Sequence, residues 1–140
     1  MKAVMSVAEM EAYLREVFPQ VEGEFAVEHM DGVTTKMRLI VQDRHLRPGG
    51  TVSGPSMFAL ADVSAYVATM APLGREALAV TTSCSVDFMR KPVSGVDLIS
   101  TATLLKLGKT LAVVDILIRS EGQENPVARA TMTYSIPPKR

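Results

Sequence analysis

The chain has 140 residues, 47% hydrophobic and 21% charged, and its 15 basic and 15 acidic side chains cancel. That length supports one domain with a sizeable core but not two, and the composition excludes a disordered chain. The charge balance gives no electrostatic reason to expect nucleic acid or an anionic membrane as main partner, and no apolar run is expected to approach the roughly 18 residues of a bilayer span.

The N-terminus, MKAVMSVAEMEAYL, acquires Glu9 and Glu11 before an apolar core of signal-peptide length develops. Ser6 followed by Glu9 forms a capping-box pattern, and Val7, Met10, Leu14 and Val17 recur at helical spacing until Pro19 stops the helix near Phe18. EFAVEHM and VTTKMRLIV flank Asp31-Gly32, which predicts a hairpin with a tight primed turn. Residues 43–53, with Pro48, Gly49 and Gly50, read as a loop. An almost wholly apolar helix then runs from about Gly54 to Ala71, with Pro55 at its start and Pro72 and Gly74 closing it.

After this helix the period changes to two. ALAVTTSCSVDFM, VDLISTATLLKL, KTLAVVDILIRS and PVARATMTYSI read as four strands joined by short connections, which predicts an antiparallel meander. Cys84 lies in the first of them and is expected to be a buried, inert thiol. As the one cysteine it excludes an intrachain disulfide and a cysteine-rich metal site, so a cytoplasmic location is the default. His29 and His45 are isolated and lack metal-ligand spacing. The tail PPKR, residues 137–140, is expected to fray. The whole chain, 1–140, thus reads as a single α+β domain: an N-terminal helix within 1–20, then a curved antiparallel sheet wrapped around one long central helix.

Asp62, in the middle of that apolar helix, is the chemical anomaly. A carboxylate buried without a partner is costly or takes up a proton. On the helical wheel Pro55, Phe58, Tyr66 and Thr69 fall within about 40° of Asp62, while Met57, Leu60, Ser64, Val67 and Ala71 lie behind. The back row should meet the sheet. The Asp62 row then needs another apolar cover, and a second copy of the same helix is the simplest, which predicts a homodimer.

The layout, together with GGTVSGPSMFALAD, DFMRKP and LLKLGKTLAVVDILI, resembles the hotdog-fold acyl-CoA thioesterases over roughly residues 24 to 136, in particular the phenylacetate-degradation branch. In that family the turn before the helix usually reads His-Gly-Gly, with an asparagine a few residues earlier. Here Ser53-Gly54-Pro55 and Arg47 stand at those positions, and the helix acid is retained. The resemblance implies hydrolysis of an acyl- or aryl-CoA thioester to free acid and CoA, with CoA as part of the substrate and no cofactor or metal. Asp62 would serve as general base or nucleophile, and the Gly54 backbone N–H, at the positive end of the helix, as oxyanion donor. Eight residues separate them, about 12 Å along the axis, so one subunit does not readily bring both to one carbonyl. Antiparallel helices across a two-fold axis would join Gly54 of one subunit to Asp62 of the other, in a dimer or a dimer of dimers.

Further substrate contacts are expected from Pro55, Phe58 and Tyr66 in an apolar or aromatic pocket. Thr81 matches a hydroxyl position in some relatives. Ser53 caps the helix or bonds substrate, and Arg47 pairs with Asp62, binds a substrate anion or stays solvated. Arg90 and Lys91 would hold CoA phosphates. Two other classes compete: a non-catalytic hotdog module that binds an acyl or aryl ligand, and a hydratase or dehydratase. The last would need a histidine at the N-terminal end of the long helix, where neither His29 nor His45 is expected.

Overall fold

A computed structural model describes residues 1–138; the last two residues of the expected frayed tail lie outside the described residues. Helix α1 (Val7–Val17) begins at the capping box: Ser6 Oγ accepts the Glu9 N–H at 3.1 Å, and Glu9 Oε1 accepts the Ser6 N–H at 3.0 Å. Strands β1 (Phe25–Met30) and β2 (Thr34–Leu39) make the expected hairpin. Gly32 alone carries positive φ in its turn, at +97°, and a Cβ there would meet the Lys2 backbone at 2.5 Å. Both constraints demand glycine.

The central helix α2 spans Gly54–Leu73, two residues beyond the expected end, with Pro72 inside its last turn and Gly74 as C-cap at φ +98°. Four strands follow: β3 (Val80–Phe88), β4 (Leu98–Leu107), β5 (Leu111–Ser120) and β6 (Ala128–Ser135). By length and composition α2 is long and apolar enough to cross a membrane, contrary to the expectation for any run of this chain. Its most apolar stretch is nevertheless 67% buried within the fold, because α2 is the element the sheet wraps.

The six strands form one antiparallel sheet in the order β1-β2-β4-β5-β6-β3. The meander expectation therefore holds for β4, β5 and β6 and fails for β3, which pairs with β6 at the far edge. Two differences explain this. The inward rows of the later strands, such as Leu98 and Ala102, Val114 and Ile116, and Ala130 and Met132, are fully or almost fully buried and pack with Leu60, Ala61 and Val67 of α2. Each such large aliphatic side chain contributes about 1.5–3 kcal/mol, so these strands take the centre. The β3 residues are mostly exposed, and its connection to β4 crosses the ends of β5 and β6, with the Met89 and Arg90 N–H groups both on Val127 O. Cys84 is accordingly exposed, not buried as expected.

The two sheet edges differ. The β1 edge is covered by α1, with Glu11 accepting the Val27 N–H at 3.2 Å. The β3 edge is uncovered and presents Val80 and Phe88 at 58% and 52% exposure.

Candidate active site

Asp62 is half-buried at mid-helix, and its carboxylate is partnered. Oδ1 accepts from Thr81 Oγ1 at 2.5 Å and from the Tyr134 hydroxyl at 2.7 Å. Thr81 and Tyr134 are cross-strand neighbours on β3 and β6, and a β-bulge between Thr81 and Ser83 interrupts the regular alternation there. Tyr134 was not among the residues singled out from the sequence. The available signal was a tyrosine continuing the inward row Ala128, Ala130, Met132, since a buried tyrosine needs a partner for its hydroxyl.

Beside this cluster lies a cavity of about 460 Å³, walled by Val17, Phe18, Val63, Tyr66, Ala77 and Ala79, with Asp62, Thr81 and Tyr134 at its polar part. Tyr66 donates to Ala77 O at 2.9 Å, and its ring lies 6.1 Å from that of Tyr134. Burial pushes the Tyr66 hydroxyl up to about 12, with smaller contributions from Tyr13 and Glu76. Burial, then the Asp62 charge, pushes Tyr134 up further, so both phenols stay protonated near neutral pH.

The cover of the Asp62 helix face differs from expectation. Tyr66 is 8% exposed and Thr69 fully buried within this one chain, and Phe18 at the end of α1 shares the cavity walls with Asp62. A second helix is not needed to shield them. What remains open on that face is Pro55, exposed, and Phe58, half-buried.

A second cavity, of about 330 Å³, shares Phe18, Asp62 and Val63 with the first and includes His45, Glu24, Pro55 and Ser56. Here the structure corrects the placement of His45: it is buried at the N-terminal end of α2, and its carbonyl accepts the Ser53 N–H at 2.8 Å. Both ring nitrogens are occupied. Nδ1 accepts the Gln42 N–H at 2.9 Å, so Nε2 carries the proton and donates to Glu24 at 2.8 Å. Burial works to raise the Glu24 carboxyl, but hydrogen bonds from His45 and Arg44 outweigh it and hold it below its usual value. An imidazole tied at both nitrogens is poorly placed for acid–base chemistry on a ligand.

At the helix start Ser53 is the N-cap: its Oγ accepts the Ser56 N–H at 3.3 Å and donates to Ser56 Oγ at 3.0 Å. Pro55 has no N–H and Met57 bonds Ser53 O, which leaves Gly54 with the one free N–H of the first turn among the described residues. A Cβ at Gly54 would lie 3.5 Å from the Phe88 ring, so the helix start abuts the end of β3. Arg90 and Lys91 follow Phe88 and are exposed, with Arg90 also donating to Pro126 O at 2.8 Å. Arg47 is exposed on its loop and makes no ion pair with Asp62, which removes that one of its expected roles. No His, Cys, Asp and Glu grouping suited to a metal occurs among the described residues.

The chain therefore divides into two zones. Asp62, Tyr66 and Thr81 come together near the start of β3, while Ser53, Gly54, Arg90 and Lys91 gather near its end.

A six-stranded antiparallel sheet wrapped on one long helix, with a short N-terminal helix beside it, is the hotdog architecture. The thioesterase superfamily profile matches residues 49–127, and the chain belongs to that family. A candidate thioesterase from Silicibacter sp. is 66% identical, with 99% of this chain and 96% of that one covered and a TM-score of 0.93. A variant of the phenylacetic acid degradation protein PaaI from Thermus thermophilus is 28% identical over 85% of this chain and 99% of that one, with a TM-score of 0.73. A hypothetical thioesterase from Streptococcus pneumoniae, solved with coenzyme A, shares the fold at 20% identity, with 94% and 98% of the two chains covered and a TM-score of 0.78. No curated protein matches the chain.

Proposed function

We propose that the protein hydrolyses an acyl- or aryl-CoA thioester to the free acid and CoA. The observation that carries this reading is the Asp62 carboxylate, bound on one oxygen by two hydroxyls and exposed to a largely apolar cavity of about 460 Å³. That volume suits a small organic ligand. The acyl group lies against Val17, Phe18, Val63 and Tyr66, with its thioester carbonyl toward Asp62. Asp62 either takes a proton from the water that attacks the carbonyl and returns it to the CoA sulfur as the C–S bond breaks, or attacks the carbonyl itself, so that the C–S bond breaks to leave a mixed anhydride on Asp62 and a CoA thiolate. In the second route water then cleaves that anhydride to the free acid and the Asp62 carboxylate, and its released proton balances the thiolate. Coenzyme A on a relative of the same fold supports CoA as the carrier.

The second half of the site comes from a second subunit. Gly54 and Asp62 are separated along one unbroken helix, and β3 holds Phe88 against Gly54 at one end and Thr81 against Asp62 at the other. Antiparallel pairing of two uncovered β3 edges would set the Phe88–Lys91 end of one subunit beside the Val80–Thr81 end of the other. The Gly54 N–H then stabilises the oxyanion formed beside the other subunit's Asp62, and Arg90 and Lys91 meet the CoA phosphates.

Release of free thiol from a panel of CoA esters tests the reading. Turnover of esters with apolar or aromatic acyl groups is expected. Thermal stabilisation by those esters without thiol release would overturn it in favour of a non-catalytic binding module.

A further inference from the structure

Resting on the hydrolytic reading above, we propose that Tyr134 is a positioning residue which, with Thr81, occupies Oδ1 of Asp62 and leaves Oδ2 as the oxygen that meets the substrate. Tyr134 is 3% exposed on β6, and its hydroxyl reaches two oxygens of the same residue: Oδ1 at 2.7 Å and the Asp62 carbonyl at 2.9 Å. One phenolic proton shared between main chain and side chain restricts the carboxylate's rotation about its own backbone. Thr81, the cross-strand neighbour of Tyr134, delivers a second proton to Oδ1. Oδ2 has no protein donor among the described residues.

The consequence is directional. Two donors draw negative charge onto Oδ1 and use its lone pairs, so the lone pairs of Oδ2 are the ones available to a water proton or a thioester carbon. The Tyr134 ring is fixed in turn: it packs at 6.1 Å from Tyr66, whose hydroxyl is anchored on Ala77 O. The phenol remains a donor across the working range because burial and the Asp62 charge oppose its ionisation. The sheet thus orients the acid, and the acid performs the chemistry.

The test is Tyr134→Phe in the full chain, which keeps the ring and its packing and removes only the proton. On the best CoA ester kcat is expected to fall about 10- to 100-fold, the scale of a hydrogen bond to a charged group, with KM within about twofold of wild type. In an Asp62→Asn background the same change should alter the residual rate less than about twofold, because Tyr134 acts through the carboxylate. Thr81→Val, on the exposed edge strand, should give the same kcat-selective loss, and Thr81→Ser should restore it. Unchanged kcat in folded Tyr134→Phe, or a full independent loss in the Asp62→Asn background, would overturn the assignment. Should Tyr134→Phe fail to fold, unchanged kcat in Thr81→Val would overturn the division of labour between the two oxygens. A wild-type protein inert toward every ester would sink the hydrolytic reading and this one together, whereas an active wild type with an unaffected variant sinks only this one.

Discussion

Replacing Asp62 with asparagine separates chemistry from architecture at the centre of the fold. Asparagine has nearly the same shape, and its carbonyl oxygen can take the place of Oδ1, still accepting from Thr81 and Tyr134. The amide nitrogen then stands where Oδ2 was, with neither charge nor a lone pair for a proton. Loss of a positioned base predicts a fall in kcat of about 10² to 10⁴, equivalent to about 3–5.5 kcal/mol of transition-state stabilisation. Stability should move far less. Two charge-assisted hydrogen bonds become neutral ones, each weaker by about 1 kcal/mol, and relief from holding a half-buried charge offsets much of that. The expected change in Tm is within about 5 °C in either direction. Thiol release and thermal unfolding measured on one preparation make the comparison. Full activity in a well-folded Asp62→Asn variant refutes the catalytic assignment, and a large loss of Tm in parallel with activity shows Asp62 to be a structural partner of Thr81 and Tyr134.

Alanine at both Arg90 and Lys91 should raise KM for CoA esters more than it lowers kcat, because phosphate contacts remote from the carbonyl are mostly uniform binding; unchanged KM and unchanged inhibition by free CoA would make both residues solvated ends of β3. If the β3 edge pairs with a second copy, light scattering at micromolar concentration should never show the 15.1 kDa monomer, and a stable active monomer would end the two-subunit site. At the hairpin turn, the Thr34 and Val33 N–H groups, followed by His29, hold the Asp31 carboxyl down at about 2. The fold therefore favours its ionised form, so its contribution is complete above the ordinary carboxylate value and fades as pH falls toward 2. Asp31→Ala should lower Tm at neutral pH, with the gap to wild type closing between about pH 4 and pH 2; an equal gap at both ends of that window contradicts this origin.

What the sequence determined by itself is what neighbours in the chain decide. The Ser6–Glu9 capping box, the Asp31-Gly32 turn, the start of α2 behind Ser53 and the period-two strands are short-range matters of backbone geometry and local hydrogen bonding, and each formed within three residues of its expected place. The apolar character of α2 also marked it as the helix to be wrapped, and so marked Asp62 as the residue to explain. Tertiary structure decided the order of the strands and the partners of the acid. Short connections suggested a meander, but the faces of β4, β5 and β6 are the ones buried on α2, and β3 lies beside β6 at the open edge with Val80 and Phe88 exposed. From that single placement follow the exposure of Cys84, the free edge and the meeting of Thr81 with Tyr134. Residues 62, 81 and 134 share no local pattern; only the register of β3 on β6, with its bulge at Thr81, brings both hydroxyls to one carboxylate oxygen. Strand pairing is chosen by the burial of whole faces, a property of the assembled core that no short stretch of this chain contains.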